Sequence, residues 1–298
     1  MIKHKKLFSA IALGVAFTFG APSYVAAVNT DLEVNVKLKQ NGIDWTQDDK
    51  SCIIATGYGI PVGPGMALAR VAAMADARRN LVGIIDGVQI DSDTVVENLK
   101  VQSDVINQKI SGLLKGAQVI DEGVADDGNY FVVMRVPLYG ANNSLAAAVL
   151  PEVRKTSMLQ PLPSVNMNLT PLPQQEITAV RSSGYTGVII DAAGMGLKST
   201  FSPVIYDTNG RAIYGASNID PDFAIARGMV GYTNSLEKAT SGSRAGANPL
   251  VIRAVSLRGG ASANSMVNVV VTPEDGDKIL LANQSSHMLE NCAVVFVR

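Results

Sequence analysis

The chain has 298 residues, and its 25 lysine and arginine residues against 26 aspartate and glutamate residues give a net charge of −1. Because no block of basic residues occurs, the sequence excludes nucleic-acid binding through clustered cations. Aromatic residues make up 5% of the chain, which disfavours a glycan-binding platform of stacked rings. About 270 residues follow the leader described next, enough for two domains with separate cores.

Residues 1–27 have the organisation of a secretory signal peptide. Three lysines among the first six residues precede the apolar run Leu7–Gly20, and small residues lead up to Ala27. The run is short for a membrane-spanning helix, so we predict cleavage near Ala27, with a retained N-terminal anchor as the alternative. No cysteine lies near that position for a lipid anchor, and no later stretch is apolar enough to span a bilayer.

Residues 28–151 are predicted to form a small sheet packed by one alanine-rich helix. Apolar and polar residues alternate in Leu32–Leu38, and Ser51–Gly57 has the composition of a short buried strand. Gly116–Leu138 predicts a β-hairpin, because apolar runs flank the turn-forming sequence Asp-Asp-Gly-Asn. A second, more polar helix is predicted between these strands.

The stretch Ala67–Asp86 is predicted to be the alanine-rich helix. Its apolar arc includes Leu68, Val71 and Leu81, which we expect to be buried, and Arg78 falls inside the same arc. A guanidinium there must reach solvent or bind a carboxylate or a carbonyl. We therefore predict a structural ion pair of Arg78 that joins the helix to the sheet, with ligand binding by Arg78 as the alternative.

The glycine-rich segment Gly57–Gly65 precedes this helix, as a phosphate-binding loop would. Its glycine spacing fits neither the G-x-G-x-x-G pattern nor the P-loop pattern, which needs a Gly-Lys pair at the start of the helix. Pro61 and Pro64 also remove amide donors from the segment. We therefore exclude a nucleotide site and expect the glycines to let the chain turn from strand into helix.

A change in composition divides the remainder of the chain. Residues 152–183 are rich in proline and glutamine and are predicted to form an extended, semi-rigid linker. Residues 184–298 are predicted to form a β-rich domain, mostly antiparallel, with one or two helices. One of these helices is capped by Thr272, with Pro273 at its first position. The fold class is therefore α+β, with two α/β domains.

No catalytic, cofactor-binding or metal-binding residue can be assigned from motifs. Once the leader is removed, His287 is the single histidine, and the polar sequence around it predicts a surface residue. Three acidic clusters, at 91–93, 121–128 and 274–277, lack calcium-loop spacing and are predicted to form turns and caps. Cys52 and Cys292 are the two cysteines; they are predicted either to form a disulfide in an oxidising compartment or to be separate buried thiols.

Two stretches of the first predicted domain, Ala69–Ile90 and Val119–Gly140, resemble the LPP-twenty-type lipoprotein family. The N-terminal domain of flagellar assembly protein T is similar to the same family. The shared pattern is an alanine-rich helix ending near Asp-Ala-Arg-x-x-Leu, followed by a strand pair around Tyr-x-Val, and it covers about Ile53–Tyr139. The matching positions are Asp76, Ala77, Arg78, Leu81, Tyr130 and Val132.

The second predicted domain is similar to a C-terminal module of some exported members of that family, in Thr186–Gly215 and Asn248–Gly259. The resemblance implies a sandwich-like α/β fold for the first domain and no known catalytic residues. In the flagellar relative, such domains help to build a periplasmic ring.

The sequence predicts a non-enzymatic protein that is exported to the bacterial periplasm, cell envelope or exterior. Its predicted role is a structural or interaction module that contacts other envelope proteins or itself, without cofactors, and that takes part in assembling an envelope or flagellar structure. The alternative is a periplasmic binding module for a cell-wall polymer or a small ligand, with Tyr58, Tyr185 and Tyr232 as candidate exposed aromatics. A hydrolase with paired carboxylates is a further alternative, with no pair singled out.

Overall fold

The computed structural model describes residues 41–45, 50–63, 65–154, 162–165, 172–216, 219, 221–259 and 265–298. The predicted signal peptide and the alternating strand at Leu32–Leu38 lie outside the described residues. We call residues 41–154 the first region and residues 172–298 the second region. Both belong to one compact unit of the chain.

The first region contains a four-stranded antiparallel sheet with the strand order β1-β2-β4-β3, and α1 packs against β2 and β4. Its elements are β1 (Gly42–Asp44), β2 (Cys52–Gly59), α1 (Met66–Asp86), α2 (Val96–Gln102), α3 (Asp104–Lys115), β3 (Gln118–Val124), β4 (Tyr130–Pro137) and α4 (Leu145–Arg154). The predicted sheet with its alanine-rich helix is confirmed. The predicted hairpin is also confirmed, as β3 and β4, and Gly128 supplies the positive φ of 83° that its turn requires.

The second region contains two four-stranded sheets, ordered β10-β11-β6-β7 and β8-β12-β5-β9. Its elements are α5 (Gln174–Ser182), β5 (Gly187–Asp191), β6 (Ile205–Asp207), β7 (Ala212–Tyr214), α6 (Pro221–Arg227), β8 (Gly231–Thr233), α7 (Leu236–Ser241), β9 (Pro249–Arg253), β10 (Ser256–Arg258), β11 (Asn268–Val271), α8 (Pro273–Ser286) and β12 (Val294–Val297). The α+β class is therefore confirmed.

The expected strand direction in the second region was wrong. All pairings in the β8-β12-β5-β9 sheet are parallel, and β6 also runs parallel to β11. The strands β11 and β12 are buried along their whole length, as is most of β5, which is typical of parallel sheets covered on both faces. The number of helices was also underestimated, because α6 and α7 have seven and six residues and are too short to show a helical period.

The predicted start of α8 is confirmed at atomic detail. The Thr272 hydroxyl accepts a hydrogen bond of 3.1 Å from the Asp275 backbone N–H, and Pro273 occupies the first turn. The helix ends at His287, which adopts a left-handed conformation with φ 51°. The cap satisfies one of the amide donors that would otherwise be left unpaired at the start of the helix.

The segment predicted as an extended linker contains a helix, α5, at its C-terminal end. The helix is amphipathic, with Ile177 and Val180 buried, and Pro173 precedes its first turn. Lys278 of α8 donates a 2.6 Å hydrogen bond to Glu176 of α5, and this contact raises the pKa of Lys278. The expectation of an extended chain is therefore wrong for Gln174–Ser182, because this short helix gains its stability from packing on α8.

Aromatic side chains form the seam between the two regions. Trp45 of the first region makes edge-to-face contacts with Phe201 and Tyr232 of the second, with ring centroids 5.5 and 5.7 Å apart. The Phe201 backbone N–H donates to the Gln89 carbonyl at 3.1 Å. The Thr200 hydroxyl donates to the Ile90 carbonyl at 2.9 Å. The seam thus combines apolar burial with satisfied polar groups, and it holds a segment after β5 against the turn after α1.

Candidate functional site

Two glycines of β2 bring α1 into backbone contact with the first sheet. A Cβ atom on Gly57 would lie 2.7 Å from Ala77 Cα, and one on Gly59 would lie 2.8 Å from the Ala69 carbonyl carbon. Both distances are shorter than any relaxed carbon contact, so larger residues cannot occupy these positions. The glycines were expected to turn the chain into the helix, but they serve close helix–sheet packing. The turn itself uses Gly63, with φ 71°.

The close approach changes the buried side of α1 in the first half of the helix, whereas Leu81 in the second half is buried as predicted. The side buried against the sheet carries Ala69, Ala73 and Ala77, spaced four residues apart. At 100° per residue, Leu68 and Val71 point away from this alanine stripe, although both were predicted to be buried. Their side chains are 70% and 62% exposed.

Large apolar side chains of the β2–α1 loop and of the first position of α1 are exposed as well. Ile60 and Val62 are 75% and 74% exposed, and Met66 at the start of α1 is 45% exposed. We define the outer face of α1 by two adjoining exposed residues of the helix, Leu68 and Val71. Large apolar residues that are exposed side by side mark a candidate contact surface.

Opposite charges flank the outer face at its two ends. Arg78 and Arg79 are exposed two to three turns beyond Val71, and Arg79 forms a 3.0 Å ion pair with Asp76. Acidic residues of the β3–β4 hairpin lie at the other end, because Gly59 pairs with Tyr130 beside the hairpin turn and Arg70 binds Glu122 at 2.7 Å. Asp126 in that turn is exposed.

Arg78 is not the buried residue that the apolar arc predicted. It is exposed, and it makes no ion pair with any residue in the described part of the chain. The physical reason is the same alanine stripe, because the helix turns a different side toward the sheet. The predicted role of Arg78 in joining helix to sheet is therefore wrong, and Arg78 instead borders the outer face.

The two cysteines do not form a disulfide with each other. Cys52 begins β2 in the antiparallel sheet, whereas Cys292 is buried just before β12 in the parallel sheet. Burial, together with the nearby Asp44 carboxylate, raises the pKa of the Cys52 thiol, which makes it a poor nucleophile at neutral pH. The predicted pairing is wrong, and the alternative of separate thiols describes the structure.

The three tyrosines considered as an aromatic platform lie in different environments. Tyr58 is 43% exposed and Tyr185 is half-buried, but Tyr232 is buried in the seam. The Tyr232 hydroxyl donates to the Thr200 carbonyl at 3.1 Å, and burial raises the pKa of this phenol. The three rings do not form one surface, because Tyr232 is inside the protein.

His287 and part of the acidic clusters have the structural roles that the sequence predicted, whereas Asp121 and Glu122 lie in β3 and Asp277 forms a buried ion pair. His287 is a surface residue at the end of α8, 3.8 Å from Glu290. An Asp91 carboxylate oxygen accepts 2.9 Å bonds from the backbone N–H groups of Asp93 and Thr94, as in a turn. Across the residues that the structure describes, no three His, Cys, Asp or Glu side chains are grouped so as to hold a metal.

A buried ion network connects the β10-β11-β6-β7 sheet to α8, and no sequence pattern predicted it. The Arg211 guanidinium binds Asp207 of β6 at 2.9 Å and Asp277 of α8 at 2.8 Å, and each of the two carboxylate side chains is 1% exposed. Such a buried network fixes the packing of its elements when all its partners are present. Its position between a sheet and a helix indicates a structural role.

A cavity of about 400 Å³ opens at the seam between the regions. Its walls combine apolar side chains with a lysine, two serines and a glutamine. The residues that line it are Ile43, Trp45, Gly87, Val88, Gln89, Gly196, Lys198, Ser199, Ser265 and Met266. Sequence reasoning missed this site; the signal was the sequence Gly-Met-Gly-Leu-Lys-Ser directly after the buried strand β5.

An antiparallel sheet packed by an alanine-rich helix, followed by a region with a parallel sheet, defines a two-part α+β protein. Residues 53–137 match the LPP20 lipoprotein family, which confirms the resemblance found in the sequence. Residues 187–298 match the second domain of Tp0624 from Treponema pallidum, in the part predicted to be a C-terminal module. None of the curated proteins compared with the chain matches it.

The match to a lipoprotein family indicates an exported, envelope-associated protein. No helix among the described residues is long and apolar enough to cross a membrane.

Proposed function

We propose that the protein is a non-enzymatic module of the cell envelope that self-associates through the outer face of α1. The observation that carries this proposal is the exposure of Leu68 and Val71 on a helix whose inner side is already filled by alanines. Exposed apolar residues that adjoin one another lower the solubility of a monomer, and burial against a partner removes that cost.

A second copy of the chain fits this surface because the surface is complementary to itself. In a two-fold contact, each end of the outer face meets the opposite end of the same face on the other copy. Arg78 of one copy would then face the hairpin turn with Asp126 of the other. Apolar side chains meet in the middle, and opposite charges meet at both ends, which fixes the orientation of the pair.

The proposal is tested by the mass of the protein in solution. We expect sedimentation equilibrium to show a dimer for the mature wild-type chain and a monomer for the double variant Leu68→Asp, Val71→Asp. A charged group in the centre of an apolar contact would be desolvated without a partner, while in the monomer it is hydrated and harmless. Val101→Asp is the matched control, because Val101 is 84% exposed but lies on α2.

The result with Val101→Asp shows whether loss of the dimer is specific to the outer face or follows from any added surface charge. A monomeric wild-type protein, or a dimer that survives the double variant, contradicts the proposal. If Val101→Asp also abolishes the dimer, the outer face is not the contact. A wild-type monomer that binds one envelope protein through Leu68 and Val71 would replace the second copy by that partner.

Charge reversal tests the orientation of the two copies. Arg78→Glu is expected to weaken the dimer, because two acidic groups then face each other at each end. Adding Asp126→Arg in the same chain restores the opposite charges and should restore much of the affinity. If Asp126→Arg gives no recovery, the copies do not meet in the two-fold arrangement described here.

A further inference from the structure

The cavity at the seam has the construction of a small-molecule site. Its volume of about 400 Å³ lies in the range of ligand pockets, and it lies between two regions of the chain, where such pockets are common. Trp45, Val88 and Met266 provide apolar walls. The polar groups belong to Lys198 and Ser199, in the loop that follows β5, and to Gln89 and Ser265, where the Ser265 hydroxyl donates to the Gln89 side-chain carbonyl at 3.4 Å.

Two features of the polar end of the cavity point to a ligand. The Ser199 hydroxyl oxygen is buried and has no hydrogen-bond partner among the described residues. An unpaired buried hydroxyl is costly, and a bound group that bonds to it removes the cost. Lys198 precedes Ser199 in the chain, is exposed, and makes no ion pair with a described residue, so its ammonium group is available to an anion.

The backbone of the same loop allows a ligand to approach closely. Gly194 and Gly196 both have positive φ angles, 79° and 82°, and Gly196 lines the cavity without a side chain. The loop leaves the carboxyl end of β5 in the parallel sheet, the position at which open α/β sheets commonly bind ligands.

We propose that this cavity binds a small organic carboxylate, with the carboxylate held by Lys198 and Ser199 and the apolar body against Trp45 and Met266. One ammonium group matches one negative charge, and the Ser199 hydroxyl donates to the second carboxylate oxygen. The site does not depend on self-association, because Gly87 in the cavity and Leu68 on the outer face lie about 28 Å apart along α1.

The chain provides its own probe, because Trp45 is its single tryptophan. We would titrate the mature protein with benzoate and follow Trp45 fluorescence, with benzamide as the uncharged analogue of the same size. We expect a saturable change with benzoate at up to millimolar concentration and binding of benzamide weaker by about tenfold or more, because a hydrogen bond to a charged group is lost.

Variants assign the effect to the cavity. Lys198→Gln should weaken benzoate binding by about tenfold, while Lys115→Gln, an exposed lysine at the end of α3, should leave it unchanged. Ser199→Ala should weaken it less, and the emission spectrum of each unliganded variant should equal that of the wild type. The proposal is overturned if benzoate gives no saturable change, if benzamide binds equally well, or if the two lysine variants behave alike.

Discussion

The first half of α1 and the helix α8 bury opposite kinds of residue. The inner side of this half of α1 is a stripe of alanines, and its large apolar residues Leu68 and Val71 face solvent. In α8, the large residues Leu280 and Leu281 are inside the protein. The difference shows that the space left by the neighbouring strand, rather than the hydrophobicity of the helix, decides which side is buried.

The glycines of β2 are the cause of this difference. They allow the first half of α1 so close to the sheet that alanine fills the gap, and Leu68 and Val71 then have no place inside, whereas Leu81 and Ile85 further along the helix are buried. Among the described residues, no comparable pair of glycines limits the space beside α8, which packs in an interior of large apolar side chains. Thus α8 is a core helix, and α1 is both a core helix and, in our proposal, the binding surface.

Enlarging a glycine of β2 is expected to have the largest effect. Gly57→Val should lower the free energy of unfolding by more than about 3 kcal/mol, because its side chain would overlap the backbone of α1. Gly83→Ala is the control within α1: no neighbour lies within 4 Å of a Cβ there. It should stabilise the helix by about 0.5–1 kcal/mol. Urea denaturation measures both, and similar results for the two variants would contradict close packing.

Removing the buried guanidinium tests what holds the second region together. Arg211→Met leaves Asp207 and Asp277 buried without their cation and should cost about 3–5 kcal/mol in the free energy of unfolding. Arg253→Met removes a 2.6 Å ion pair with Asp191 in which the arginine side chain is 56% exposed, so its cost should be at most about 1 kcal/mol. Equal losses in the free energy of unfolding for the two variants would show that the buried network stabilises the protein no more than an exposed ion pair does.

One substitution made in both helices compares them directly. Leu281→Ala should cost about 2–5 kcal/mol, because the side chain is 2% exposed and its loss leaves a cavity. Leu68→Ala should change the free energy of unfolding by less than about 0.5 kcal/mol in the monomer. A large cost at Leu68 in dilute protein would mean that this residue belongs to the core.

The sequence was sufficient where a pattern is local. The hairpin β3–β4, the Thr272 cap and the turn at Asp91 all depend on neighbouring residues, and all are confirmed. The buried side of α1 was not predictable from the helix alone, because it depends on Gly57 and Gly59 of another element. An alanine every four residues, together with Gly-x-Gly in the preceding strand, was the available signal.

The direction of the strands in the second region and its cavity depend on contacts between distant parts of the chain. A fully buried apolar strand such as β12 gives no period that separates parallel from antiparallel pairing. Trp45 and Lys198 are more than 150 positions apart in the sequence, and they meet only because the segment after β5 docks on the turn after α1. The domain boundaries and the flagellar resemblance stay predictions.

The central claim, that the outer face of α1 is covered by a second copy, can be tested with two methionines of nearly equal exposure. Met66, two residues before Leu68 at the start of α1, is 45% exposed, and Met266 at the seam is 42% exposed. Peroxide oxidation of exposed methionine follows its accessibility, and mass spectrometry gives the rate at each residue. We predict that oxidation of Met66 slows as protein concentration rises while that of Met266 stays constant. If both rates are independent of concentration, the outer face stays uncovered and the claim is contradicted.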